Sequence, residues 1–366
     1  MTRTFSLYLD VLRFLAAVAV FLAHVSSRPF THESVWWRLA QYGSMAVTVF
    51  FVLSGYVISY VVANREGNPR DYVVARIARL YSVVGIGLIL TLALDNLGLW
   101  LRPEFYEIQK AHWKPQSWAG YISSFLFVNE YQIFAFNGIS PGTNGPYWSL
   151  SFEATYYAIA GLFLFLSAAY SIPIAIMLLA VAGKTIAALL PIWFIGFFLY
   201  RTRLSPQIPP FLCKILAVTS AVGIFAAPTI ITYLPSTESA LWLPWGRAPF
   251  NRNITSDYFV AIVFAVHLAC VRCLLSAERQ VPQRLEDLIR WFGSLTFPLY
   301  CFHYPAICLL AAISPWRITS LPHLIFICLA TATLVIILTP ACELTKRGIR
   351  QALTRTSDRT SLKHQQ

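Results

Sequence analysis

The sequence predicts an all-α protein that crosses a membrane about ten times. Three observations point there. The 366 residues are 57% hydrophobic and only 12% charged, roughly half the charged share of soluble domains. The apolar residues gather in runs of about twenty, the length a helix needs to span a bilayer core. Aromatic residues include 11 Trp and 18 Tyr, which suits side chains that anchor at the membrane–water interface.

Taken in order, the spans fall at about 8–26, 43–63, 80–101, 147–168, 170–185, 186–200, 211–232, 256–277, 291–313 and 323–343. The first apolar run, Leu7 to Val25, carries Asp10 and Arg13 and has no small-residue cleavage site. It therefore reads as a span and not as a removed leader. The second contains Gly43, Ser44, Ala46, Ser54 and Gly55, small residues that let helices approach closely. The fifth and sixth are the least distinct. Residues 171–200 are almost continuously apolar, broken only by Lys184 and Pro191, and fit one long helix or two short ones. A single helix would leave nine spans and put the two ends on opposite sides. After Lys346 the chain is basic and polar, so a membrane domain over 1–345 and a disordered cytoplasmic tail over 346–366 are expected. No internal repeat and no second soluble domain is visible.

The net charge of +12 does not gather in one patch, which argues against nucleic acid as a partner. The basic residues lie between the apolar runs. With the N-terminus inside, 18 of the 28 Lys and Arg fall on inner segments and 8 on outer ones. That bias places both termini in the cytoplasm. Of the seven Cys, none lies in the long outer segment 102–146, so no disulfide framework is expected. The Cys270-x-x-Cys273 pair lacks the second pair that zinc requires, and no metal is expected. The 102–146 segment is rich in aromatics, Asn, Gly and Pro, and long ordered loops of this kind tend to be functional.

Ionisable groups inside spans are costly and mark candidate sites. Asp10 and Arg13 are three apart in the first span and share a helix face. His24 lies 11 residues further, nearly on the same face and about 16 Å along the axis. The plain alternative is a helix-end ion pair and an interfacial His. The fourth span opens Tyr147-Trp-Ser-Leu-Ser-Phe-Glu153. Glu153 falls at a depth similar to His24 and can orient and charge it as a base, or can be half of a structural interhelix pair. His303, in Leu299-Tyr-Cys-Phe-His-Tyr-Pro305, falls near mid-membrane, where a helix–helix hydrogen bond is the plain reading. Asp95, Lys184 and His267 are further intramembrane candidates with no link to chemistry. Arg76-Ile-Ala-Arg79, at the inner end of the third span, makes a fork for phosphates or serves only as a topology signal.

These residues together resemble the membrane-bound acyltransferase 3 family, the O-acetyltransferases of exopolysaccharide, O-antigen and related glycans. The likeness runs in order through Leu9-Asp-Val-Leu-Arg13, His24, Val49-Phe-Phe-Val-Leu-Ser-Gly-Tyr56, Arg76-x-x-Arg79, Trp148-Ser149-Leu-Ser-Phe-Glu153 and His303-Tyr-Pro305. The family often has Pro where Ser82 stands, and Gly where Val11 and Phe14 stand. The resemblance implies an enzyme of about ten spans in a bacterial cell membrane, without the C-terminal hydrolase-like domain of one subgroup. It implies acetyl-CoA or another acyl-CoA as co-substrate, with no bound cofactor. The acceptor it implies is a hydroxyl of an extracytoplasmic or lipid-linked glycan. His24 is then the catalytic base, with Glu153 and Asp10 beside it in the catalytic set. Arg76 and Arg79, with Arg13, are the acyl-CoA-binding residues, and Trp148, Ser149, Tyr56 and His303 are supporting or acceptor-side positions. The sequence leaves open direct transfer or an acyl-His intermediate, the acceptor's identity and the oligomeric state. The competing reading is a transporter or exporter of a glycan or acyl donor, since broken helices and intramembrane charges suit transporters too. It lacks a repeat between halves and gives the phosphate fork no purpose. A structural or sensory subunit is a third reading.

Overall fold

The structure is a computed structural model that describes residues 1–32, 39–109, 117–134, 139–202, 208–234 and 254–363. Ten long helices fall where the sequence puts ten spans. They are α1 (Arg3–Val25), α2 (Leu39–Asn64), α3 (Pro69–Leu101), α4 (Trp148–Phe165), α5 (Ala168–Ala182), α6 (Lys184–Arg201), α7 (Pro210–Ile230), α8 (Ile254–Leu274), α9 (Gln283–Ile313) and α10 (Leu321–Lys363). No strand occurs among the described residues. Eight of the ten are long and apolar enough to cross a membrane. The other two are α4 and α5. The polar opening of α4, with Ser149, Ser151, Glu153 and Thr155, lowers its hydropathy. The 15 residues of α5 reach only about 22 Å.

The ambiguity at 171–200 resolves as two helices. Gly183 sits between α5 and α6 at φ +103°, a left-handed conformation that a side chain strains. α10 runs on past Lys346 to Lys363. Beyond Gly348 it holds no Gly or Pro to stop the helix, and Arg70 donates to the carbonyls of Leu353 and Thr354 at 3.2 and 2.9 Å. Among its described residues the 102–146 segment holds the short α-helices Pro103–Gln109 and Trp118–Phe125 and a 3-10 turn at Gln132–Phe134. Its residues 110–116 and 135–138 lie outside the described ones.

The chain divides into two units, one of 1–63, 130–138 and 177–296, the other of 64–129, 139–176 and 297–366. In the first, small residues bring α2 and α6 into backbone contact. A Cβ on Gly55 would fall 2.0 Å from the Trp193 carbonyl oxygen, and one on Gly196 would fall 1.9 Å from that of Val52. Trp193 Nε1 donates to Ser54 Oγ at 3.2 Å across the same seam. Gly43 plays the same part toward α1, where its Cβ would meet Ala23 at 2.9 Å. Buried polar pairs tie in α8: Thr48 donates to Asp257 at 2.6 Å, and the Tyr8 hydroxyl lies 2.5 Å from His267 Nε2. Arg272 donates to the carbonyls of Leu199 and Tyr200 at 2.9 and 3.2 Å, which satisfies otherwise orphaned acceptors at the end of α6.

The second unit is organised by α3. Gly87 and Gly98 make room for Tyr147 and Tyr106, whose hydroxyls lie 2.1 and 2.2 Å from where a Cβ would sit. Tyr147 donates to the Val84 carbonyl at 3.2 Å, and Tyr72 donates to that of Tyr157 on α4 at 2.8 Å. Buried Asp95 accepts both the backbone N–H and the hydroxyl of Thr143. That pair fixes the turn which leads into α4.

Candidate active site

Within the first unit, α1 carries Asp10, Arg13 and His24. Thr2 caps the helix by accepting the Phe5 N–H, and Arg3 pairs with Glu286 at the start of α9. Asp10 is a hub. It accepts Arg13 Nη1 at 3.2 Å and Arg290 Nη1 at 3.5 Å, and Arg290 also binds Glu286 at 2.9 Å. The close approach behind this is made at Gly293, where a Cβ would lie 3.2 Å from Asp10 Cβ. Asp10 therefore ties α1 to α9 through the Arg290 guanidinium, while Arg13 pairs with it within α1. His24 stands in the last turn of α1, half-buried, about 16 Å along the axis from Arg13. The following turn folds back on it, with Ser27 donating from both N–H and hydroxyl to the His24 carbonyl at 3.1 and 2.7 Å. Tyr56 is buried on α2, with the Arg272 guanidinium 5.9 Å from its ring and Phe5 and Tyr200 edge-on at 5.8 and 5.5 Å.

The second unit holds Arg76, Arg79, Trp148, Ser149, Glu153 and His303. It brings three of them into one cluster. Arg76 Nη2 donates to both oxygens of Glu66 at 2.8 and 2.9 Å. Its guanidinium lies 5.2 Å from the ring centroid of Tyr72 and 5.4 Å from that of Tyr157, within cation–π range. Arg79, one turn further, is 3.7 Å from Glu153 and 5.8 Å from the Phe297 ring. Tyr157 stands four residues after Glu153 on α4, so the two share a face, and its hydroxyl donates to the Glu153 carboxylate. Burial pushes the Glu66 carboxyl above its ordinary value, and the Arg76 charge pulls partly the other way.

Ser149 is buried, its hydroxyl 2.6 Å from that of Tyr300, which in turn donates to the Pro146 carbonyl at 3.1 Å. Trp148 stacks edge-on against Phe152 at 5.1 Å. His303 is fully buried, with Nδ1 2.9 Å from the Leu299 carbonyl one turn back, and sits beside the Tyr300 and Tyr304 rings. Among the described residues, no group of three or more His, Cys, Asp or Glu is placed to hold a metal.

Sequence reasoning passed over Glu66, Tyr157 and Arg290. Tyr157 had a signal, its i+4 spacing from Glu153. Glu66 and Arg290 had none, because each reaches its partner through the fold.

Helices of this length and apolarity make a multi-pass membrane protein, with intramembrane polar groups on α1 in the first unit and on α3 and α4 in the second. Against protein-family models, residues 6–341 match the acyltransferase domain of the acyltransferase 3 family. The chain belongs to that family and is a membrane acyltransferase. No curated protein and no solved structure matches it.

Proposed function

We propose that this acyltransferase takes an acetyl group from cytoplasmic acetyl-CoA and places it on a hydroxyl of a cell-envelope or exopolysaccharide glycan, or of its lipid-linked precursor, at a bacterial inner membrane. Family membership over 6–341 is the observation that carries this reading. The Arg76-x-x-Arg79 pair supplies the positive charge for the donor's phosphates, because guanidinium suits phosphate and cannot lose its charge.

His24 is the base. Its imidazole takes the proton of the acceptor hydroxyl as that oxygen attacks the thioester carbonyl carbon. The carbon–sulfur bond breaks, coenzyme A leaves as thiolate, and the imidazolium returns the proton to the sulfur. The products are an acetyl ester and free coenzyme A. Glu153 pairs with Arg79 and Asp10 with Arg13, so each carboxylate sets the charge at an arginine, and holding donor and acceptor in line supplies much of the rate.

The test uses purified protein in nanodiscs, acetyl-CoA labelled on the acetyl group, and an envelope-glycan extract. Label should enter the glycan, and His24→Ala should abolish transfer while leaving the unfolding temperature unchanged. Undiminished transfer in that variant would defeat the assignment. Absence of transfer in the wild type, with a glycan moving across the bilayer, would favour an exporter.

A further inference from the structure

We propose that the two arginines of the Arg76-x-x-Arg79 pair are not equivalent: Glu66 is a positioning residue that holds Arg76 as a fixed post, and Arg79 is the arginine that leaves Glu153 to take a phosphate of the acyl donor. The phosphate half of this rests on the donor reading above; the Glu66 half does not.

Both arginines face a carboxylate and an aromatic ring, but they differ in exposure and in how tightly the carboxylate holds them. Arg76 is 11% exposed and gives one nitrogen to both oxygens of Glu66. Tyr72 and Tyr157 bring their rings against the same guanidinium. Its Nε is sealed from solvent and makes no hydrogen bond among the described residues, so an incoming phosphate cannot reach it. Breaking a buried pair leaves an uncompensated charge, and Glu66 is therefore not readily displaced. Arg79 is 44% exposed, and its 3.7 Å separation from Glu153 is a loose ion pair. Glu153 is 16% exposed, so the pair opens to solvent on the arginine side, where solvent screening weakens an ion pair, whereas a phosphate offers a bidentate, charge-assisted partner. Glu153 does not lose all support when Arg79 departs, because the Tyr157 hydroxyl still donates to it. Tyr157 thus touches both halves, its ring on Arg76 and its hydroxyl on Glu153. A pair of arginines of which one is fixed gives one exchangeable phosphate contact.

An arginine-selective dicarbonyl reagent, phenylglyoxal, applied to the full chain in nanodiscs with mass spectrometry of the labelled peptides, tests this. Arg79 should be modified several-fold faster than Arg76, and coenzyme A should protect Arg79. Glu66→Gln should raise the labelling of Arg76 toward that of Arg79. Glu66→Asp, which keeps the charge on a shorter stem, should fall between and guards against a misfolded Gln variant. Equal labelling of the two arginines in the wild type would overturn the proposal, as would an Arg76 no more reactive in Glu66→Gln. Equal protection of Arg76 and Arg79 by coenzyme A would overturn it while the donor reading stood. Faster labelling of Arg79 with no protection by coenzyme A would overturn the phosphate half and the donor reading together, and would support the role of Glu66.

Discussion

Replacing Asp95 tests how the polar start of α4 is held. Asp95 is fully buried on α3, where its two carboxylate oxygens accept the Thr143 N–H at 2.8 Å and the Thr143 hydroxyl at 2.7 Å. The neighbouring Gly142 has φ +55°, and a Cβ there would lie 2.1 Å from the same carboxylate. Asn144 extends the clasp, donating to Thr91 at 3.0 Å and to the Cys301 carbonyl at 2.8 Å. This turn runs directly into Trp148 and, one further turn and a half along, Glu153. A hydrogen bond to a charged group contributes about 1.5–3 kcal/mol. Asp95→Ala removes two of them and strands a buried N–H, so a loss of about 3–5 kcal/mol is expected, at the severe end for one substitution. Thr143→Val removes one and should cost about 1–3 kcal/mol. The double variant should cost less than the two together, by a coupling of about 1–3 kcal/mol. Unfolding in mild detergent, followed by tryptophan fluorescence, measures all four proteins. An Asp95→Ala protein within about 0.5 kcal/mol of wild type, or strict additivity, would refute the reasoning.

Two further outcomes follow from the same geometry. Gly55→Ala should destabilise by about 3 kcal/mol, the upper end of overpacking, because the Trp193 carbonyl 2.0 Å from the new Cβ is backbone and forces α2 and α6 apart; Gly67→Ala, with nothing within 4 Å, should change the unfolding midpoint by less than about 0.5 kcal/mol. Burial pushes the Glu130 carboxyl up to about 8, while in the unfolded chain it ionises near its ordinary value of about 4.3. Between those values the unfolded state holds fewer protons, so this group's contribution to stability falls as pH rises. The unfolding temperature should drop between pH 5 and pH 8, and Glu130→Gln should flatten that slope; an unchanged slope in the variant would contradict it.

The ten helices were legible because membrane insertion acts on the same quantity the eye reads, a run of about twenty apolar residues. The break at Gly183 was less so, since a single residue in a left-handed conformation leaves no mark on hydropathy. Small residues in the second span announced close packing, and Gly55 fulfils that against α6, although the sequence could not name Trp193 as the partner. At the site, the spacing of Asp10 and Arg13 showed their pairing, while Arg290, 280 positions away, was invisible. The fork at Arg76 and Arg79 was visible as a pair of cations. What the sequence hid was that each arginine already faces a carboxylate, Glu66 or Glu153, because such pairing depends on which helices meet. Beyond Gly348 the tail holds no Gly or Pro, so its polarity is equally compatible with a helix.

The central claim, acyl transfer from a cytoplasmic coenzyme A thioester to a hydroxyl on the far side, is tested most directly by sidedness. In sealed proteoliposomes of one orientation, labelled acetyl-CoA is supplied only to the face that carries the N-terminus, with a glycan acceptor only on the other. Free coenzyme A appearing on the first side and acetyl ester on the second, both lost in His24→Ala, is the predicted result. Ester formed only where donor and acceptor share a face, or equal transfer by His24→Ala, would contradict it.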